Sequence, residues 1–178
     1  MGKDKACLVH PDGRTLARRG HDLLKDAGCE QVMLSLRGDQ EIPSGFADLQ
    51  NISVIRDPDG TGGGPLVAIM TAMRHRPEAD WLVIACDLPR LDLATLRHLI
   101  SSKREDEWFL AYRSEFDGLP EPLCAIYTST SLALFQDVGS GSIRTVLMRH
   151  ECRLLEPITP RSLDNANTPL DWQAATES

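Results

Sequence analysis

The sequence predicts an α/β fold, an open and mostly parallel sheet flanked by helices. Three observations lead there. Strand-like apolar runs alternate with segments of helical spacing along most of the chain. The run Trp81–Cys86 is apolar throughout and bounded by Asp80 and Asp87, as suits a strand covered on both faces. Of the 178 residues 42% are apolar and 25% charged, which is enough to bury a core and fits one domain over residues 1–178.

The elements follow in order. Helical spacing over about 14–27 puts Leu16, Gly20, Leu23, Leu24 and Ala27 on one face, with Gly28 as the stop. Gln31–Leu36 and Ile52–Arg56 read as strands, and the second runs into a glycine-rich turn from Asp57 to Pro65. Leu66, Ile69, Met70 and Met73 mark the next helix. After Trp81–Cys86, Asp92 caps a helix carrying Leu93, Leu96, Leu99 and Ile100. Trp108–Tyr112 and Leu123–Tyr127 are further strands, followed by short helices near Ser131–Val138 and Ser142–His150. A strand near Arg153–Leu155 and a helix beginning after Pro169 complete the pattern.

Composition excludes some functions. With 26 acidic and 19 basic residues the formal net charge is −7, unlike a general nucleic-acid binder. No apolar run approaches the ~20 residues of a membrane span, so neither nucleic acid nor membrane is an expected partner. The five cysteines are odd in number and unpaired in spacing, which predicts reduced thiols and a cytoplasmic setting. Cys86 and Cys124 read as core-like strand residues. The five histidines are scattered and predict no His-ligated metal.

In a parallel α/β sheet, ligands sit beyond the carboxyl ends of the strands. Asp87 follows the most apolar run directly, where it can hold Mg²⁺ between phosphates or simply end the strand before Pro89. Asp57 follows a strand too, as a ligand contact or a turn residue. Gly60–Gly64 can present backbone N–H groups to phosphate or form a plain surface loop; no Walker motif ends it. Lys3, Asp4 and Lys5 read as a solvated charged run. Ser140 or Ser142 suits a helix cap; Asp164–Pro169 suits a turn plus helix start, or two asparagines that coordinate a metal or hydrogen-bond a ligand, since capping does not need both. No Ser-His-Asp or Cys-His arrangement supports covalent catalysis.

Five segments, taken in order, resemble the molybdenum cofactor guanylyltransferase family. They are Met1-Gly-Lys-Asp-Lys-Ala6, Asp57 with Gly64-Pro65-Leu66, Cys86-Asp87-Leu88-Pro89, Pro120–Tyr127 and Asn165-Ala-Asn-Thr-Pro169. Val67-Ala68 departs from the Ala-Gly often found after Gly-Pro-Leu, and Ser35 stands roughly where some members have Asn. The resemblance implies a Rossmann-like nucleotidyltransferase sheet. The family places a strand and a Gly-rich loop before Met-Gly, so this sequence is expected to lack the N-terminal strand and to bind GTP poorly without it.

The resemblance further implies transfer of GMP from GTP to the phosphate of a molybdopterin-type cofactor with release of pyrophosphate, dependent on Mg²⁺. Lys5 and Asp87 would be catalytic. Lys5, Asp57 and Asp87 would bind nucleotide, and Asp87 the metal. Glu121, Pro122, Leu123, Asn165 and Asn167 would face the acceptor. Molybdoenzymes or cofactor-carrier proteins are the protein partners it implies. The alternatives are a cytidylyl or sugar-1-phosphate nucleotidyltransferase of the same fold, or a non-catalytic nucleotide-binding remnant.

Overall fold

Helix boundaries follow from capping chemistry in the computed structural model, which describes residues 4–49, 52–58, 64–135 and 141–176. The Thr15 hydroxyl accepts from the Arg18 N–H to open α1 (Leu16–Asp26). Pro65 occupies the first turn of α2 (Pro65–His75), where its missing N–H costs nothing. Asp92 Oδ1 accepts from the Thr95 N–H at 2.7 Å to open α3 (Leu93–Ser102). Ser142 caps α4 (Ile143–Arg149), as expected, and α5 is Pro169–Thr176. Gly139, Ser140 and most of the Gly60–Gly64 loop lie outside the described residues.

The strands are β1 (Met33–Leu36), β2 (Ser53–Arg56), β3 (Trp81–Ile84), β4 (Phe109–Arg113), β5 (Pro120–Tyr127) and β6 (Arg153–Leu155). β1 and β2 pair in parallel. The other four form a sheet in the order β3-β5-β4-β6. The α/β class with flanking helices is borne out. Its pairings divide evenly: β1–β2 and β4–β6 are parallel, β3–β5 and β4–β5 antiparallel. The antiparallel share comes from one short connection. Ser114–Leu119 folds β5 straight back on β4, with Gly118 at φ 72° making the turn. Pro120 is tolerated because it is the first residue of its strand.

Strand side chains alternate between two apolar layers. Trp81, Val83, Phe109, Ala111, Ala125 and Tyr127 pack with Ile69 and Met73 of α2 and Val146 and Leu147 of α4. Leu82, Ile84, Leu110, Tyr112, Cys124 and Ile126 pack with Leu23 and Leu24 of α1 and Leu96 and Leu99 of α3. Helices therefore cover both faces, as a continuous apolar run such as Trp81–Cys86 anticipates. β3 itself is only half-buried, and among the described residues one of its edges has no neighbouring strand.

Two local readings differ. The helix expected near Ser131–Val138 is a 3₁₀ segment, Ser129–Phe135, as far as the described residues run. The Ser131 hydroxyl donates to the Thr128 carbonyl and the Thr128 hydroxyl bonds across to Glu107, so side chains compete with the helical ladder. Cys86 is exposed rather than core-like, since β3 ends at Ile84 and Cys86 lies in the turn beyond. Cys124 is buried, and burial with Glu121 and Asp92 nearby pushes its thiol up to about 12. All five cysteines are free. Alkylation after unfolding is expected to add five labels without prior reduction, while native protein leaves Cys124 unlabelled; fewer than five labels on the unfolded chain would reveal a disulfide. Among the described residues no helix is long and apolar enough to cross a membrane.

Candidate active site

Asp87 is delivered by β3. The Ala85 N–H still bonds Leu123 of β5, and the chain then turns through Cys86 and Asp87 to a buried Leu88. The Asp87 carbonyl accepts from the Ala166 N–H at 3.0 Å, which docks the segment Asn165–Asn167 against it. Asn167 is held in turn by α5: Asp171 Oδ2 accepts from the Asn167 and Thr168 N–H groups, and the Thr168 hydroxyl accepts from the Asp171 N–H. That is a reciprocal cap of the S/T-x-x-acid type, readable in the sequence as Thr168 to Asp171.

Lys5 arrives from the opposite end of the chain. A single 3₁₀ turn, Lys5–Cys7, is fixed by Asp4, whose Oδ1 accepts from the Ala6 N–H and whose Oδ2 accepts from Gln40 Nε2. Lys5 Nζ then lies 3.0 Å from Asp87 Oδ2 and donates to Asn167 Oδ1 at 2.6 Å. The sequence shows no reason to expect Lys3, Asp4 and Lys5 to be anything but solvated, yet Asp4 and Lys5 are both engaged. Lysine, carboxylate and asparagine thus converge at a strand's carboxyl end, across sequence separations of 82 and 162 residues.

Asp57 stands apart from this trio. Its N–H donates to the Leu36 carbonyl at the carboxyl end of the β1–β2 pair. The residue is only 8% exposed, and its buried Oδ1 has no hydrogen-bond partner among the described residues. Burial pushes its carboxyl up, opposed by the Arg37 charge. A buried side-chain oxygen without a partner is unusual and sets Asp57 apart from an ordinary turn residue before Pro58.

Of the acceptor-side residues, Glu121, Asn165 and Asn167 line one cleft of about 630 Å³ together with Arg144 and Arg161. Glu121 Oε2 sits 3.7 Å from Arg144, whose guanidinium also bonds Asp117 at 2.7 Å. Arg161 reaches Asp164 at 2.7 Å. Pro122 and Leu123 serve the sheet instead: the Pro122 carbonyl accepts from the Tyr127 hydroxyl, and Leu123 packs into the core and bonds Ala85. Arg144 and Arg161 escape sequence reasoning. Neither stands beside a recognisable motif; Arg144 comes from α4 and Arg161 from the loop after β6, and only the fold brings them to one cleft with the β4–β5 hairpin.

Among the described residues no three His, Cys, Asp or Glu side chains cluster tightly enough to hold a metal ion. Asp87, half-buried and with Oδ1 not engaged by Lys5, fits the habit of Mg²⁺, which takes one or two carboxylates and leaves its other positions to water and substrate phosphate.

A family model described as the MobA-like NTP transferase domain matches residues 1–153. The chain belongs to this family. A relative from Synechocystis, a molybdenum cofactor biosynthesis bifunctional protein, is 35% identical over 175 residues, covering 97% of this chain and 49% of its own length. The chain therefore spans about half of that relative. A probable molybdenum cofactor guanylyltransferase from Synechococcus elongatus is 32% identical over 185 residues, covering 98% of this chain and 90% of its own. Among solved structures, molybdopterin-guanine dinucleotide biosynthesis protein A from Archaeoglobus fulgidus superposes with a TM-score of 0.75 at 22% identity, covering 99% and 90% of the two chains. A Mycobacterium tuberculosis protein in complex with manganese superposes with a TM-score of 0.66 at 21% identity, covering 99% and 94%. Membership in the MobA-like NTP transferase family bears out the resemblance carried by the five ordered segments.

Proposed function

We propose that the chain transfers GMP from GTP to the terminal phosphate of a molybdopterin-type cofactor and releases pyrophosphate. The observation that carries this reading is the contact of Lys5 with both Asp87 and Asn167 at the carboxyl end of β3, in a member of an NTP transferase family. The names of the cyanobacterial relatives supply the substrate pair.

An oxygen of the acceptor phosphate attacks the α-phosphorus of GTP, a new P–O bond forms, and the bond to the β-phosphate oxygen breaks as pyrophosphate leaves. Such a transfer needs alignment and charge compensation more than covalent help. Asp4 caps the turn that carries Lys5 by accepting from the Ala6 N–H, and Asn167 Oδ1 accepts from the Lys5 ammonium, so the ammonium approaches the triphosphate from a fixed point. Asp87 would hold Mg²⁺, which when bound neutralises charge on the phosphates. Lys5 then exchanges its contact with Asp87 for one with phosphate, and Asn167 keeps it in reach. Asp57 takes the ribose or base through its unpartnered Oδ1. Glu121, Asn165 and Asn167, with Arg144 and Arg161, face the acceptor across the shared cleft.

The test incubates the protein with Mg²⁺, molybdopterin and either GTP or CTP, and follows pyrophosphate release and the mass of the dinucleotide product. Guanine dinucleotide formed in preference to cytosine dinucleotide is the expected result. Preference for CTP would reassign the base, and no product with either, alongside measurable GTP binding, would leave a nucleotide-binding protein.

Asp57→Asn separates the ligand role from the turn role. Neutralising a buried carboxylate whose Oδ1 has no hydrogen-bond partner is expected to leave the melting temperature unchanged or raise it by ~2–4 °C, corresponding to up to ~1 kcal/mol, while weakening GTP binding by calorimetry. A drop of several degrees with unchanged binding would make Asp57 a structural turn residue.

A further inference from the structure

The cleft that holds Glu121, Asn165 and Asn167 is not built for an anion alone. Five carboxylates line it, from Glu115, Asp117, Glu121, Asp164 and Asp171, against the two guanidiniums of Arg144 and Arg161. Four of the five are already engaged. Glu115 Oε2 accepts from the Arg161 N–H at 2.7 Å, and Asp117 accepts from Arg144 at 2.7 Å and from the Leu119 N–H at 3.0 Å. Asp164 accepts from Arg161 Nε at 2.7 Å, and Asp171 accepts from the Asn167 and Thr168 N–H groups. Glu121 is the exception. Its one ion pair, with Arg144 Nη2, is 3.7 Å long and beyond hydrogen-bond reach, although the side chain is only 20% exposed. Among the described residues no N–H or O–H donates to its carboxylate.

The same hairpin carries a second group without a partner. Between the anchored Glu115 and Asp117, Phe116 is 97% exposed and lines the cleft. The turn beneath it is fixed. The Gly118 N–H donates to the Ser114 carbonyl at 2.9 Å, and the Ser114 N–H donates to the Leu119 carbonyl at 2.8 Å. A single exposed apolar side chain is ordinary. A bare ring on a braced turn, sharing a cleft with a carboxylate that lacks donors, suits a flat heterocycle whose edge offers N–H groups.

We propose that Glu121 and Phe116 form the subsite for the ring of the acceptor, an aminopyrimidinone of the pterin type. Glu121 accepts from its amino and ring N–H groups, and Phe116 stacks on its face. The assignment rests on the transfer reaction proposed above and supplies its acceptor specificity. Asn167 sets the orientation, because it lines the cleft and also accepts from Lys5. The acceptor's phosphate therefore points to Lys5 and Asp87, and its ring to the hairpin. A carboxylate takes two N–H donors side by side, and such charge-assisted bonds are about twice as strong as neutral ones.

The probe is neopterin monophosphate, bound to the full chain without GTP or metal and followed by calorimetry. Its comparison ligand is the lumazine analogue, which carries a carbonyl in place of the pterin's amino group. The chain is expected to prefer neopterin monophosphate by at least ~10-fold, the order of one lost charge-assisted bond. Glu121→Gln should abolish that preference, because its amide turns a donor toward the donors of the ring. Phe116→Ala should weaken both ligands by ~5-fold or more and keep the preference, and Phe116→Tyr should restore affinity. An exposed ring and a carboxylate replaced by its isostere leave the fold alone, so melting temperatures should move by no more than ~2 °C. Three results would overturn the proposal. One is no binding of either pteridine. Another is equal binding of the two, or a preference that survives Glu121→Gln. The last is GMP that displaces neopterin monophosphate and itself weakens with Glu121→Gln, which would assign the edge to the guanine of the nucleotide. No transfer occurs in this assay. A chain that makes no dinucleotide would still report the preference, and one that makes dinucleotide without the preference would lose the subsite alone.

Discussion

Asp87→Asn is expected to lower Mg²⁺-dependent turnover by roughly 10²–10³-fold, since loss of a charge-stabilising group at a phosphate site removes about 3–4 kcal/mol from the transition state. The fold should survive. The Asp87 main-chain carbonyl, which docks Ala166, is untouched, and an asparagine keeps the shape of the side chain. The ion pair with Lys5 is partly exposed, at 30% and 22% for the two side chains, so its loss should cost no more than ~1 kcal/mol. GTP binding measured without metal should change little, because Lys5 is then released to the phosphates. Turnover near that of the wild type would remove Asp87 from the metal site and leave it as a residue of the turn after β3.

Phe109→Ala is expected to destabilise the protein by about 3–5 kcal/mol, a large part of the ~5–15 kcal/mol that holds a typical domain together. Phe109 is fully buried at the middle of the sheet. Its ring meets Tyr127 at 5.7 Å and Phe135 at 5.9 Å, both edge to face, and Tyr127 and Phe135 lie 6.2 Å apart. This sequence is only 5% aromatic, and three of its nine rings of the Phe, Trp and Tyr type join in one cluster, so no neighbour can collapse into the void. Urea unfolding followed by circular dichroism measures the loss, with Phe109→Leu as the smaller step. A midpoint for the alanine variant within about 1 kcal/mol of the wild type would mean that the cluster is loosely packed.

The elements were legible because each carries its own periodicity and caps. Asp92, Ser142 and Gly28 do locally what their types do elsewhere, and the layers follow from strands such as Leu110–Ala111–Tyr112, whose neighbours alternate faces. Pairing direction was less legible. The strands β3 and β5 are separated by α3 and β4, and nothing in Trp81–Ile84 records that it will lie antiparallel to Cys124–Tyr127. The candidate site divides in the same way. Asp87 can be singled out by position, because it follows an apolar run. Lys5 and Asn167 are ordinary residues in their own neighbourhoods, and only the resemblance marks them. Arg144 and Arg161 had no mark of either kind, since cleft membership arises only when α4, the β4–β5 hairpin and the loop after β6 are assembled.

The contact of Lys5 with Asn167 closes a span of 162 residues. For a free chain such a closure costs on the order of 4–5 kcal/mol of entropy, more than one surface hydrogen bond returns. The bond can exist only because the sheet and helices between its partners have already brought them together. During synthesis the lysine emerges 162 residues before the asparagine, so a nascent chain can hold folded segments for many seconds without possessing the clamp. The clamp therefore depends on the elements that carry its partners already being in place. Any nick or fraying that loosens either partner would disarm it before the core had lost a single contact.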